Sequence, residues 1–198
     1  MSDKRFHGDA TRWEGCEAVE GKTGHRWDLW VRQSASVVLS RMAPGRGADV
    51  PTAPCAKRHR DLLDVVLVCD RSSAYPCFAK GHEGLSLASC WAPVRREFLK
   101  AARSGPERES WMCTWVEDIR ELSRLHAARL EGWDETVRRD PHPAAFVARH
   151  RDLETQLRQM HARGEAHLQK PDLHLGKHKV LRSLQTHWDG LTVFSMAA

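Results

Sequence analysis

The spacing of hydrophobic positions changes near residue 104 of this chain. Before that point, short apolar runs alternate with Gly, Pro and Ser, which is typical of strands joined by short connections. Beyond it, apolar residues recur every three or four positions within long charged stretches, and this spacing indicates amphipathic helices. The pattern therefore predicts an α/β domain over residues 1–104 and a helical region over residues 105–198.

Short apolar runs predict five strands in the first half. They cover residues 6–16, 27–31, 37–39, 62–69 and 85–87. The second and third runs are separated by a short polar break, which predicts an antiparallel hairpin. The fourth run is continuous rather than alternating, which favours a parallel strand buried on both faces of the sheet. A mixed sheet of this kind is typical of α/β and α+β domains.

Several helices are predicted from helical spacing and from proline. Residues 72–78 predict a short helical passage that is broken by Pro76. Pro93 predicts the start of a helix that runs through Arg103, since proline lacks only an N–H that the first turn does not use. The second half predicts three helices packed as a bundle, over residues 111–132, 153–168 and 180–191.

Composition narrows the class of protein. Lys and Arg outnumber Asp and Glu by 31 to 26, which gives a net charge of +5 and a mild bias toward polyanions. The run at residues 65–69 is too short to cross a membrane, and no signal-peptide pattern follows the start. The six cysteines include no Cys-x-x-Cys pair. We therefore expect a cytoplasmic protein with reduced thiols and no zinc ribbon.

Two aspartates occupy positions that favour a metal site. Asp9 lies within the first predicted strand, and Asp70 comes directly after the fourth. If these strands are neighbours, both carboxylates project at one edge of the sheet, where their repulsion favours a cation between them. Mg²⁺ prefers oxygen ligands, and two such ions about 4 Å apart can activate both oxygens of a phosphodiester exchange. From spacing alone, a turn or cap role stays open for each aspartate.

Several stretches of the chain together carry a family resemblance. They are Asp70–Tyr75, Cys90–Leu99 and His187–Phe194, supported by Trp27–Val31 and Arg46–Pro51. In order and spacing they resemble bacterial insertion-sequence transposases of the IS66 type. Each string is short, but five strings in register are specific, and the likeness runs over nearly the whole chain.

The resemblance implies an RNase H-like core, in which an antiparallel hairpin joins parallel strands, followed by a C-terminal helical insertion region. Such enzymes use three acids and Mg²⁺ to cut transposon ends and join them to target DNA. Asp9 and Asp70 match the first two acids, and Arg95, Arg96 and Lys100 become candidates for contact with DNA phosphates. The implied partners are DNA and a second copy or a full-length transposase, at the bacterial nucleoid.

The sequence departs from the family pattern at three places. The third acid of the family follows the His-Trp-x-Gly-Leu-Thr stretch, whereas this sequence ends at Ala198 before such a segment. Ala10 replaces a usual Glu, and Pro93 replaces a common His. Only eight residues precede Asp9, so we expect the chain to correspond to the middle of a transposase.

A missing carboxylate has a consequence for chemistry. Because misplacement of reacting groups by about 1 Å can cost on the order of a hundredfold in rate, we expect little or no strand transfer by this chain alone. One alternative is a non-catalytic remnant that binds DNA or a full-length transposase through its helical half. Another is an RNase H-like nuclease with a different role.

Overall fold

A computed structural model of the protein describes residues 4–14, 26–44, 65–70, 74–80, 84–131 and 144–196. The chain divides into two compact units, Met1–Cys90 and Trp91–Ala198. The first unit is built on a β-sheet, and the second consists of helices. Each has its own hydrophobic core. The mixed α/β content predicted from the sequence is confirmed.

The sheet of the first unit has five strands in the order β3-β2-β1-β4-β5. Their bounds are Arg5–Glu14 (β1), Arg26–Gln33 (β2), Val38–Ala43 (β3), Val65–Cys69 (β4) and Leu85–Ser89 (β5). β2 pairs antiparallel with β1 and β3, whereas β4 pairs parallel with β1 and β5. The predicted hairpin and mixed sheet are confirmed. Residues 15–16 and 62–64, which the sequence adds to two strands, lie outside the described residues.

One face of this sheet is packed against a short helix, α1 (Ala74–Ala79). Tyr75 of α1 is 1% exposed, and its ring makes an edge-to-face contact with that of Trp30 of β2 at a centroid distance of 5.8 Å. The prediction that Pro76 breaks this helix is wrong. Pro76 lies in the first turn of α1, where its missing N–H has no helical partner to lose, so the helix continues through it.

The second unit contains five helices within its described residues. Their bounds are Trp91–Ala102 (α2), Pro106–Leu130 (α3), Ala144–Leu168 (α4), Leu175–Thr186 (α5) and Trp188–Met196 (α6). Phe98, Met112, Trp115, Leu153 and Leu181 are at most 1% exposed and lie in a shared core, which is why these amphipathic segments pack as helices. No helix in the described part of the chain is long and apolar enough to cross a lipid bilayer.

Several helix boundaries differ from the sequence-based predictions. α3 begins at Pro106 rather than at residue 111, and α4 begins at Ala144 rather than at residue 153. α2 begins at Trp91 rather than at Pro93, which still lies in the first turn. The helix predicted over residues 180–191 is two helices, because the chain turns at His187, where φ is −108° and ψ is 10°. Leu184 and Leu191 are buried on either side of this turn. The apolar spacing therefore continues across the break, and spacing alone merges the two helices.

Candidate functional site

The parallel pairing of β1 with β4 brings the two predicted acids to neighbouring positions. Gly8 lies opposite Cys69, so Asp9 and Asp70 are the next residues along the two chains. Adjacent strands lie about 4.8 Å apart, and side chains alternate between the two faces of a sheet. Gly8, Ala10 and Cys69 are buried, whereas Asp9 is exposed and Asp70 is half-buried. The alternation therefore puts both carboxylates on the face of the sheet opposite the buried core.

The donor set at this position consists of hard oxygen ligands. One oxygen of Asp9 is oriented locally, because Oδ1 accepts a hydrogen bond from the N–H of Ala10 at 2.8 Å. Two carboxylates on adjacent strands suit Mg²⁺ in ligand chemistry and in charge. Among the described residues, no group of three or more His, Cys, Asp or Glu side chains could hold a metal ion. The third acid of the family pattern is thus not found beside Asp9 and Asp70 in this part of the chain.

Tyr75 lies beneath the strand that carries the first acid, on the buried face of the sheet. A Cβ atom at Gly8 would stand 3.1 Å from Tyr75 Oη and 3.3 Å from Leu67 Cδ1. Contacts this short are tighter than side chains normally make, so the phenol ring occupies the space that a side chain at position 8 would need. Glycine at position 8 therefore follows from the position of the Tyr75 ring.

Burial and nearby negative charge keep two groups near the acid pair protonated. Burial is the main cause that raises the pKa of the Cys69 thiol to about 12, and the charges of Asp70 and then Cys90 add to it. Burial is also the main cause that raises the pKa of Tyr75, and the charges of Cys69, Asp70 and Asp9 add to it. The thiol is therefore protonated at neutral pH, which is its weakly nucleophilic form. The phenol remains an O–H donor.

Comparison with known proteins identifies the family. The model of the Transposase IS66 family matches residues 1–197. The chain belongs to the IS66 transposase family. This IS66-family chain is also 32% identical over 117 residues to the uncharacterized protein y4qI of Sinorhizobium fredii (strain NBRC 101917 / NGR234). The match covers 52% of the chain and 21% of that relative, so the chain spans about a fifth of the relative's length. No solved structure matches.

The predicted phosphate-contacting residues of this IS66-family chain lie on α2, in the second unit, whereas the acid pair lies in the first. Arg95, Arg96 and Lys100 are exposed, while Val94 and Phe98 on the other side of the helix are buried. None of the three cations forms an ion pair with another described residue. They form a positively charged face with which no carboxylate of the described residues pairs, and such a face attracts polyanions.

A groove of about 610 Å³ between α4 and α6 is a second basic feature of the helical unit. Arg151, Arg158, His161 and Trp188 contribute to its lining, together with the acidic Glu154. Sequence reasoning missed this groove, because the cations come from one helix and the indole from another. Only the packing of the two helices brings them together.

Two buried residues of the site also escaped prediction. Tyr75 was part of a family signature but had no assigned role, and its burial beneath β1 depends on how α1 packs on the sheet. The signal that could have pointed to it is its place shortly after Asp70 as the single tyrosine of the chain. Gly8 carries a signal of its own, since a glycine inside a strand often marks a close approach of another group.

Proposed function

We propose that this chain is the central, catalytic portion of an IS66-family transposase. In this proposal the first unit is an RNase H-like domain, and Asp9 and Asp70 hold a divalent cation such as Mg²⁺. The observation that carries it is the β1–β4 register, in which the two acids are the next residues after a paired Gly8 and Cys69. The antiparallel hairpin joined to parallel strands is also the arrangement expected of an RNase H-like sheet.

The chain's own contribution would be to hold the two carboxylates in fixed positions. β1 and β4 are both interior strands that pair with a neighbour on each side, so their backbones are well constrained. A divalent cation bound there supplies the charge that activates an attacking oxygen and stabilises the leaving oxygen of a phosphodiester. Among the described residues no third carboxylate joins the pair, and we expect these two carboxylates by themselves to support little or no DNA joining.

DNA is the substrate and partner that the proposal requires. The exposed cations of α2 support contact with the phosphate backbone, which would act on transposon ends and target DNA alike. A second copy or a full-length transposase would complete the assembly, and the chain would act at the nucleoid in the bacterial cytoplasm. Arg95, Arg96 and Lys100 are the residues proposed for this contact.

The first experiment measures the thermal stability of the full chain as a function of Mg²⁺ concentration. A ligand that binds the folded state raises the unfolding temperature by mass action, so we expect a saturable rise for the wild type. Asp9→Asn and Asp70→Asn should lose that rise. Asp152→Asn, which changes an exposed aspartate of α4, is the matched control and should keep it. A wild type without a Mg²⁺ response, or aspartate variants that retain it, would contradict the metal site.

The second experiment separates a transposase core from a non-catalytic remnant. Robust Mg²⁺-dependent joining of terminal-repeat DNA, abolished by Asp70→Asn, would contradict the proposed impairment. DNA binding without any Mg²⁺ response would favour the remnant, whose supporting observation is the unpaired basic face of α2. Removing its three cations should make the logarithmic salt dependence of DNA affinity shallower by up to about 3, because each phosphate contact contributes about 0.9.

A further inference from the structure

The groove between α4 and α6 combines two cations with an aromatic ring. Its volume of about 610 Å³ lies within the range of ligand sites in proteins. Arg151 and Arg158 line it from α4, and Trp188 lines it from the first position of α6. The proposed function gives this groove no role, because the predicted phosphate contacts lie on α2.

The two arginines of the groove are not neutralised by nearby carboxylates. They are seven residues apart on α4, so they lie on one face of the helix and about 10 Å apart along its axis. Neither forms an ion pair with another described residue, and Arg158 contacts only an uncharged carbonyl and a hydroxyl of its own helix. The carboxylate of Glu154, which also lines the groove, lies 3.4 Å from Nε2 of His150. The groove therefore presents a net positive charge to a ligand.

Trp188 supplies a ring that neighbouring side chains hold in place. Its indole makes an edge-to-face contact with the ring of Trp91 at a centroid distance of 6.0 Å, and the ring of His161 lies at 4.9 Å. The indole N–H groups of Trp91 and Trp111 each donate a hydrogen bond, whereas that of Trp188 has no partner among the described residues. Trp188 is half-buried and lines the groove. A ring held in this way loses little conformational freedom when a ligand binds.

We propose that this groove binds single-stranded DNA, with Arg151 and Arg158 in contact with phosphates and the indole of Trp188 stacked on a base. Proteins that bind single strands combine a basic groove with aromatic rings on which bases stack. A duplex fits less well, because a ring in a recess between two helices reaches only a base that has left the stack. The inference rests on the proposed function, since that function makes DNA the polyanion that the chain meets.

Fluorescence anisotropy with a labelled oligothymidylate of about 12 nucleotides measures binding by the full chain. The double variant Arg151→Gln/Arg158→Gln should weaken binding and make its logarithmic salt dependence shallower by up to about 1.4, because each phosphate contact on a single strand contributes about 0.7. The matched control is Lys179→Gln/Arg182→Gln, which removes two exposed charges of α5 outside the groove and should keep the wild-type salt dependence. Glu154→Gln should tighten binding, because it removes a negative charge from the groove.

An abasic oligonucleotide of the same length tests whether Trp188 stacks on a base. The wild type should bind the abasic strand about five- to 150-fold more weakly than oligothymidylate, the factor that corresponds to losing one base–aromatic contact. Trp188→Leu should weaken the binding of oligothymidylate by a similar factor and leave the binding of the abasic strand unchanged. Trp188→Phe keeps an aromatic ring and should retain most of the affinity. The comparison of the two strands on the wild type needs no variant, so it decides the matter even where Trp188→Leu does not fold.

The outcomes separate this inference from the proposed function. If DNA binds but Arg151→Gln/Arg158→Gln changes no affinity, or weakens duplex binding as much as single-strand binding, the role of the groove is overturned and the contact through α2 stands. Equal affinity of the wild type for the abasic strand and oligothymidylate would also overturn it. A polyglutamate peptide that binds through the same arginines as tightly as oligothymidylate would mark a groove for acidic peptides instead. If the chain binds neither form of DNA, the groove and the DNA contact of the proposed function both fail. Single-strand binding in the groove without any Mg²⁺ response would leave this inference standing and contradict the metal site.

Discussion

Arg129 is a buried cation in the helical unit, and replacing it with methionine tests what holds the last helix in place. Arg129 lies on α3 and is 1% exposed. Its guanidinium donates to the carbonyl oxygens of Ser195 at 2.8 Å and Phe194 at 3.0 Å, in the last turn of α6. It also meets the Nδ1 atoms of His150 at 3.0 Å and His126 at 3.2 Å. Arg129→Met keeps much of the volume and removes all four hydrogen bonds.

The expected cost follows from these contacts. A hydrogen bond from a charged donor contributes about 1.5–3 kcal/mol, so the two bonds to α6 carbonyls alone represent about 3–6 kcal/mol. Carbonyls in the last turn of a helix have no intrahelical partner, and the variant would leave them unpaired. Burial lowers the pKa of Arg129, which shows that desolvation of the charge opposes these gains. Methionine relieves that penalty, so we expect a net destabilisation of about 2–4 kcal/mol.

Urea denaturation of the full chain, followed by circular dichroism, measures this loss as a lower midpoint at an unchanged slope. Arg124→Met is the matched control, because Arg124 lies on the same helix but is 65% exposed in an ion pair with Glu121. The control should leave the midpoint unchanged, since exposed ion pairs contribute little. An Arg129→Met protein as stable as the wild type would refute the reasoning, because desolvation would then outweigh the four hydrogen bonds.

Two further predictions concern packing and pH. Gly8→Ala should lower the free energy of unfolding by about 1–3 kcal/mol, because the new Cβ would press on Tyr75. Gly176→Ala is the control, because its Cβ would first meet the end of the flexible Arg108 side chain, and it should leave the free energy of unfolding nearly unchanged. Equal urea midpoints for the two variants would contradict the steric argument. His167 accepts a hydrogen bond at Nδ1 from the indole N–H of Trp111 at 3.0 Å, and burial followed by three nearby cations lowers its pKa. The unfolded state therefore binds more protons than the folded state below about pH 6.5, so the free energy of unfolding should fall as the pH drops from 7.5 to 5.5. The fall should be less steep in His167→Gln. Identical pH slopes for the two proteins would show that His167 is not responsible.

The sheet was largely predictable because its strands differ in pattern according to their place. The continuous apolar run that ends at Cys69 predicted an interior strand, and β4 does lie between two parallel neighbours. The alternation at residues 27–31 and the polar break after it predicted the hairpin of β2 and β3. What the sequence left open was which strands are neighbours, and the proximity of Asp9 and Asp70 depends on that alone.

The helical unit was less predictable, for reasons that individual residues make clear. Periodicity reports which face of a helix is apolar, and it continues unchanged through the turn at His187 because buried leucines lie on both sides. Hydrophobic periodicity also predicts that every arginine is exposed. Arg129 is buried because its four hydrogen-bond acceptors come from α4, from α6 and from its own helix. A local sequence pattern does not predict contacts between residues so far apart in the chain.

The acid pair and the ring beneath it impose a joint requirement on the sequence. An acid on the exposed face of an interior strand places its two neighbours on the buried face, and here those neighbours are Gly8 and Ala10. A residue of ordinary size at position 8 would displace the Tyr75 ring. The local sequence pattern around the two aspartates therefore includes a small residue before Asp9 and a buried aromatic residue in the helix after Asp70.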